Sequence, residues 1–167
     1  LDTLYEIAKA VGAASGLLAI SLLLWDRYVK HVPVAVIVAR PLMAGSRQIV
    51  PFLHLKNPSD RPILVSWKDG DHRKMRVAKG QSLEGVLQTM FEGDTTISLD
   101  AGADAVLPIF KPRDYDNISP ENQMELCLRW KFAQPRIWKV DRSIVASIKK
   151  IDLDRLIEGY REHDDEG

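Results

Sequence analysis

The sequence lacks any surplus of charge, its 23 lysines and arginines being matched by 23 aspartates and glutamates. That balance argues against nucleic acid as a partner, since a phosphate backbone is held by a strongly basic face. Cysteine is almost missing as well. The single one, Cys127, excludes an intramolecular disulfide and any CxxC metal or redox site. Short catalytic motifs are absent: no GxSxG, GxxxxGK, GxGxxG or HExxH occurs, so a nucleophile elbow, a phosphate cradle and a zinc-hydrolase helix all lack their minimal parts. His31, His54, His72 and His163 are the four histidines, and none stands in a recognisable nucleophile–base arrangement. Asp69, Asp71 and His72, in KDGDH, place three metal-ligand types close together. Gly and Asp there have a simpler cause in the backbone angles of a tight turn. No cofactor, no metal and no enzymatic activity are expected.

What is present is a chain of 167 residues, enough for one ordinary domain and an anchor. Residues 10–25 read AVGAASGLLAISLLLW without a charge. Lys9 interrupts the apolar run near its start, where a long side chain can lift its ammonium to the headgroups. Tyr5 and Trp25 stand twenty positions apart, which at about 1.5 Å per helical residue is roughly 30 Å, the thickness of a hydrocarbon core. Both are residues that favour membrane interfaces. DRYVKHVP follows the run and contains no small-x-small cleavage site, so an uncleaved membrane helix within residues 1–32 is expected rather than a signal peptide. Arg27, Lys30 and Arg40 after the helix, against Lys9 before it, put the following domain in the cytoplasm at the cell membrane. The chain opens at Leu1, and a basic extension ahead of it would reverse that orientation. Gly12 and Gly16 form a GxxxG pair, with Ala8 one turn earlier on the same small-residue face. This is the expected face of a helix homodimer.

After Pro33 the pattern becomes short apolar runs parted by turn residues. VAVIVA at 34–39, QIVPFLHLK at 48–56 and ILVSW at 63–67 read as strands, the last two separated by the turn NPSDRP. MRVA, ISLDAGADAVLPIF, RIWKV and SIVASIKKI supply more. MELCLRWKF at 124–132 alternates, with Met124, Leu126, Leu128, Trp130 and Phe132 on one face, the order of a strand with one buried side. Seven to nine short strands are expected over residues 33–151, as in an antiparallel β-sandwich. Leu83, Val86, Leu87, Met90 and Phe91 fall at helical spacing behind Ser82, predicting a short helix at 82–92. A second helix is expected at 152–162, with Ile151, Leu156, Ile157 and Tyr160 near one face and an acidic tail completing a segment 152–167.

FLHLKNPSDRPILV and SLDAGADAVLPIF resemble strand-turn-strand phrases of immunoglobulin-like sandwiches in bacterial proteins, including uncharacterised ones with one preceding membrane span. The resemblance covers about 30 of the 167 residues, without the Cys, Trp, Cys signature of antibody-type domains. It implies an immunoglobulin-like architecture and carries no catalytic residue across.

HRKMRVAK concentrates His72, Arg73, Lys74, Arg76 and Lys79 in an otherwise balanced chain. Arg73, Lys74, Arg76 and Lys79 are therefore the expected contacts to an anionic surface, whether headgroups or an acidic protein. The polar loop KPRDYDNISPEN at 111–122 is long enough for recognition, with Tyr115 as its expected anchor. Together these features point to a membrane-anchored binding or scaffolding module with a protein partner. The alternatives are an oligomerising membrane element regulated by its outer domain, and an enzyme or ligand-binding protein with an unfamiliar site.

Overall fold

The computed structural model describes residues 2–28, 32–43, 46–68, 74–80, 94–134 and 141–165. Contacts divide the chain into two units, residues 1–32 and 33–167. In the first, α1 (Asp2–Tyr28) is a continuous helix. Its segment Tyr5–Trp25 has a mean hydropathy of 1.9 and no buried residue, and is long and apolar enough to cross a membrane.

The second unit is mainly β. Its described strands are β1 (Val34–Pro41), β2 (Ile49–Lys56), β3 (Ile63–Lys68), β4 (Arg76–Val77), β5 (Asp94–Leu99), β6 (Asp104–Phe110), β7 (Gln123–Phe132) and β8 (Arg142–Lys149). They make two antiparallel sheets of four strands, ordered β1-β2-β6-β4 and β5-β3-β7-β8. Alternation explains the layering, because successive side chains leave opposite faces of a strand. Along β7, Met124, Leu126, Leu128 and Trp130 are buried and Glu125, Cys127 and Arg129 exposed. Leu53, Leu55, Leu107 and Ile109 of one sheet join Ile63, Val65, Leu126, Leu128 and Trp130 of the other in a single apolar core.

Among the connections that pass between the sheets are those from β2 to β3 and from β5 to β6. NPSDRP is a turn as its residues predict, yet the strands it joins pair with other strands and not with each other. Gly102, with φ of +70°, makes the second turn, where an L side chain would be strained. The tight turn expected within KDGDH lies outside the described residues, and β3 and β4 before and after it belong to different sheets.

The predicted C-terminal helix is present as α2 (Lys150–Asp165), two residues earlier than expected and continuous with β8. It packs on β1, β2 and β8 and belongs to the second unit. Its buried face differs from the expected one. Leu153 and Ile157, one helical turn apart, enter the core, whereas Leu156 and Tyr160 are each 37% exposed, as i, i+4 geometry requires once Leu153 points inward. The helix predicted at 82–92 and the strand RIWKV at 136–140 lie outside the described residues.

Candidate binding surfaces

The basic cluster is only partly described. Arg73 lies outside the described residues, as do Asp69, Asp71 and His72. Lys74 is exposed, and Arg76 and Lys79 are half-buried. Arg76 holds its guanidinium 5.6 Å from the Phe110 ring centroid, within cation–π range. On α1, Gly12 and Gly16 are open, since a Cβ added at either would meet nothing within 4 Å. Ala8 lies on the same helix.

Tyr115, expected as a recognition anchor, is turned inward. It is buried in a short 3-10 turn, Tyr115–Asn117, and its hydroxyl donates to Asp154 Oδ1 at 2.6 Å. Lys111 Nζ lies 4.1 Å and Lys150 Nζ 5.1 Å from the ring centroid. Lys150 also donates to the carbonyls of Ile118 and Asp116. The ring therefore fastens the 111–122 loop to α2 and is not presented to a partner. Burial, followed by the hydrogen bond to Asp154 and the charge of that carboxylate, holds the Tyr115 hydroxyl well above its ordinary range. Neutral Tyr115 is the form that donates, so its contribution is fully present below an unfolded pKa of about 10 and is lost as pH rises through the higher folded value. Tyr115→Phe should lower unfolding free energy by about 1–3 kcal/mol near neutrality. The difference from wild type, read in urea melts, should shrink above about pH 10.

A cleft of about 890 Å³, which no sequence motif announces, lies beside β7. Trp67, Met75, Val77, Pro112 and Ile118 are among the residues that line it. The Trp67 indole is fixed there by Nε1–H donation to the Val77 carbonyl at 3.0 Å. Residues 123–129 all contribute to the lining, from both faces of β7. Lys74, Arg76 and Arg129 bring positive charge to the cleft, and Glu125 and Asp141 negative charge. Asp141 is paired with Lys131 at 3.2 Å.

His54 and Asp104 meet at 3.1 Å across β2 and β6 on the outer face of the first sheet. The pair is an exposed cross-strand contact with no nucleophile beside it among the described residues, and cross-strand pairing accounts for it. Among the described residues no group of three or more His, Cys, Asp or Glu side chains is placed to hold a metal ion.

No protein-family model matches the chain, and no curated protein matches it in sequence. Among solved structures it is similar to the crystal structure of the E. coli chaperone DraB, at 15% identity over 71% of this chain and 54% of that one, with a TM-score of 0.30. The chain thus spans about half the length of that chaperone chain, and a likeness this slight carries no argument about fold or activity.

Proposed function

We propose that the protein is a membrane-anchored, non-enzymatic module in which α1 crosses the bilayer and an immunoglobulin-like sandwich binds a protein partner through its strand edges or loops. The observation that carries the reading is the wholly exposed apolar segment Tyr5–Trp25, since an unburied helix of this composition finds its favourable solvent in lipid. Tyr5 and Trp25, 69% and 61% exposed, bracket it as interfacial aromatics do. The immunoglobulin-like part of the reading is supported by strand order: β1-β2-β6 in one sheet faces β3-β7-β8 in the other, the Greek-key neighbours of such sandwiches. The basic residues Arg27, Lys30 and Arg40 after the apolar segment favour a cytoplasmic domain.

Membrane fractionation and protease protection test the reading. The full chain should sediment with membranes and resist carbonate extraction, and its domain should be cut in inverted vesicles while surviving in right-side-out ones. A chain lacking residues 1–32 should move wholly to the soluble fraction. Cutting only in right-side-out vesicles would overturn the cytoplasmic placement, and a soluble full chain would overturn the anchor.

A helix homodimer is a second reading, favoured by the open space at Gly12 and Gly16, where two backbones can approach closely. Replacing both glycines with Ile should abolish dimer cross-linking in membranes and leave partner binding by the outer domain intact.

A further inference from the structure

The cleft beside β7 has an unusual wall. Consecutive residues of a strand point to opposite faces of its sheet, so a pocket on one face can touch only alternate ones. This cleft touches all of residues 123–129, as one that reaches the strand's edge does.

Register explains the opening. β3 pairs with β7 from Ile63↔Phe132 to Ser66↔Arg129 and no further, while it stays with β5 through Lys68↔Asp94. β3 therefore leaves β7 at Ser66, and β7 continues toward Gln123 paired with β8. The direction of its backbone groups follows from two hydrogen bonds. Asn122 O accepts from Lys150 N at the β8 side, and Ala133 N donates to Pro62 O at the β3 side. N–H and C=O of one residue share a side and alternate along the strand, so Gln123, Glu125 and Cys127 aim theirs at the cleft. Among the described residues, no strand pairs with that half of the edge.

We propose that the edge of β7 at Gln123, Glu125 and Cys127 is a strand-addition site for an acidic, extended segment of a partner protein. An added strand would exchange backbone hydrogen bonds with Glu125 and Cys127, as extended peptides do at other sheet edges. Its inward side chains would meet the half-buried Ile118. Acidity follows from charge: among the described residues, with Asp141 neutralised by Lys131, the cleft sets Lys74 and Arg129 against Glu125. This assigns to part of the basic cluster a peptide ligand in place of a lipid surface. It rests on the partner-binding reading above and specifies where on the domain that partner sits.

The test uses the full chain in detergent micelles and three fluorescein-tagged eight-residue peptides: alternating Glu and Val, alternating Lys and Val, and the Glu–Val sequence with every second amide N-methylated. The Glu–Val peptide should bind at least tenfold more tightly than the Lys–Val one and slow amide hydrogen exchange at Glu125 and Cys127 at least tenfold. The methylated peptide, unable to form the ladder, should bind at least tenfold more weakly. Lys74→Glu with Arg129→Glu, both at exposed positions, should reverse the charge preference while leaving thermal unfolding within a few degrees of wild type. Equal binding of acidic and basic peptides, undiminished binding of the methylated one, or no binding at all would overturn the proposal. So would slow exchange at Glu125 and Cys127 without peptide, which would assign the edge to the chain's own residues if independent of concentration and to a second copy if not. Because this measurement needs no membrane, its failure leaves the anchored-module reading to stand or fall by fractionation.

Discussion

Asn57→Leu should cost about 3–5 kcal/mol, a large part of the roughly 5–15 kcal/mol that holds a domain folded. Asn57 is fully buried at the connection from β2 to β3. Its Nδ2 donates to the carbonyls of Arg61 at 2.7 Å, Asp100 at 2.8 Å and Leu99 at 3.3 Å. Its Oδ1 accepts from Ser59 N at 3.1 Å and Ser59 Oγ at 2.6 Å. One side chain thus ties the β2–β3 turn to the β5–β6 turn, 42 and 43 positions away. The backbone does the same: Asn57 N donates to Ala103 O and Gly102 N to Ser59 O. Leucine occupies a similar volume but forfeits all five of these hydrogen bonds, at about 0.5–1.5 kcal/mol each, and leaves Ser59 N without its acceptor, whereas the Ser59 hydroxyl keeps Arg61 O and the Asp100 carbonyl keeps Ala103 N.

Asn57→Asp separates hydrogen bonding from shape. A carboxylate would face three carbonyl oxygens with no hydrogen to offer, so near neutrality this variant should be less stable than the leucine one. Its folded-state pKa should lie above the unfolded value of about 3.9, since burial and the carbonyl dipoles oppose the charge. The penalty should therefore be complete above that folded value and fade as pH falls toward 4. Urea titrations of both variants at several pH values would show it. A loss below about 1 kcal/mol for leucine would mean that water replaces the amide and that the two turns are not joined through it.

These turns also show where sequence reading stops. Asn, Pro, Ser and Asp at 57–62 specify local backbone angles, and the turn is where they place it. They hold no information about which strands pair, because β2–β6 and β3–β7 contacts are set by core residues far apart in the chain. β7 was legible in full, as one buried face generates strict alternation. The α2 face was misplaced since Leu153 sits among Asp152, Asp154 and Arg155 and draws no attention until Tyr115 is found bonded to Asp154. The inward turn of Tyr115 depends on that same partner, 39 positions away, inside a loop whose composition is polar. Even the cleft has a faint trace in the sequence. ILVSW is a much shorter apolar run than MELCLRWKF, but unequal lengths become an uncovered edge only once the two are known to be neighbours.

Two buried tryptophans allow a matched prediction. Trp67 and Trp130 are 5% and 1% exposed and face one core. Trp67 Nε1–H donates to the Val77 carbonyl, whereas Trp130 Nε1 has no hydrogen-bond partner. Trp130 instead packs edge-on against Phe132, with ring centroids 5.3 Å apart, and lies under the Arg142 guanidinium at 5.0 Å. Truncation to alanine should cost about 3–5 kcal/mol at either site, because both leave large cavities between the sheets. Phenylalanine should part them. Trp67→Phe loses the indole volume and also strands the Val77 carbonyl, while Trp130→Phe loses only volume and relieves an N–H that is already unpaired. The first should therefore be the less stable by about 1–2 kcal/mol, measured from urea midpoints at equal slope. Equal losses would mean that cavity size alone sets the cost. A larger loss at Trp130 would show that the contacts with Phe132 and Arg142, each worth about 0.5–2 kcal/mol, outweigh the Val77 hydrogen bond.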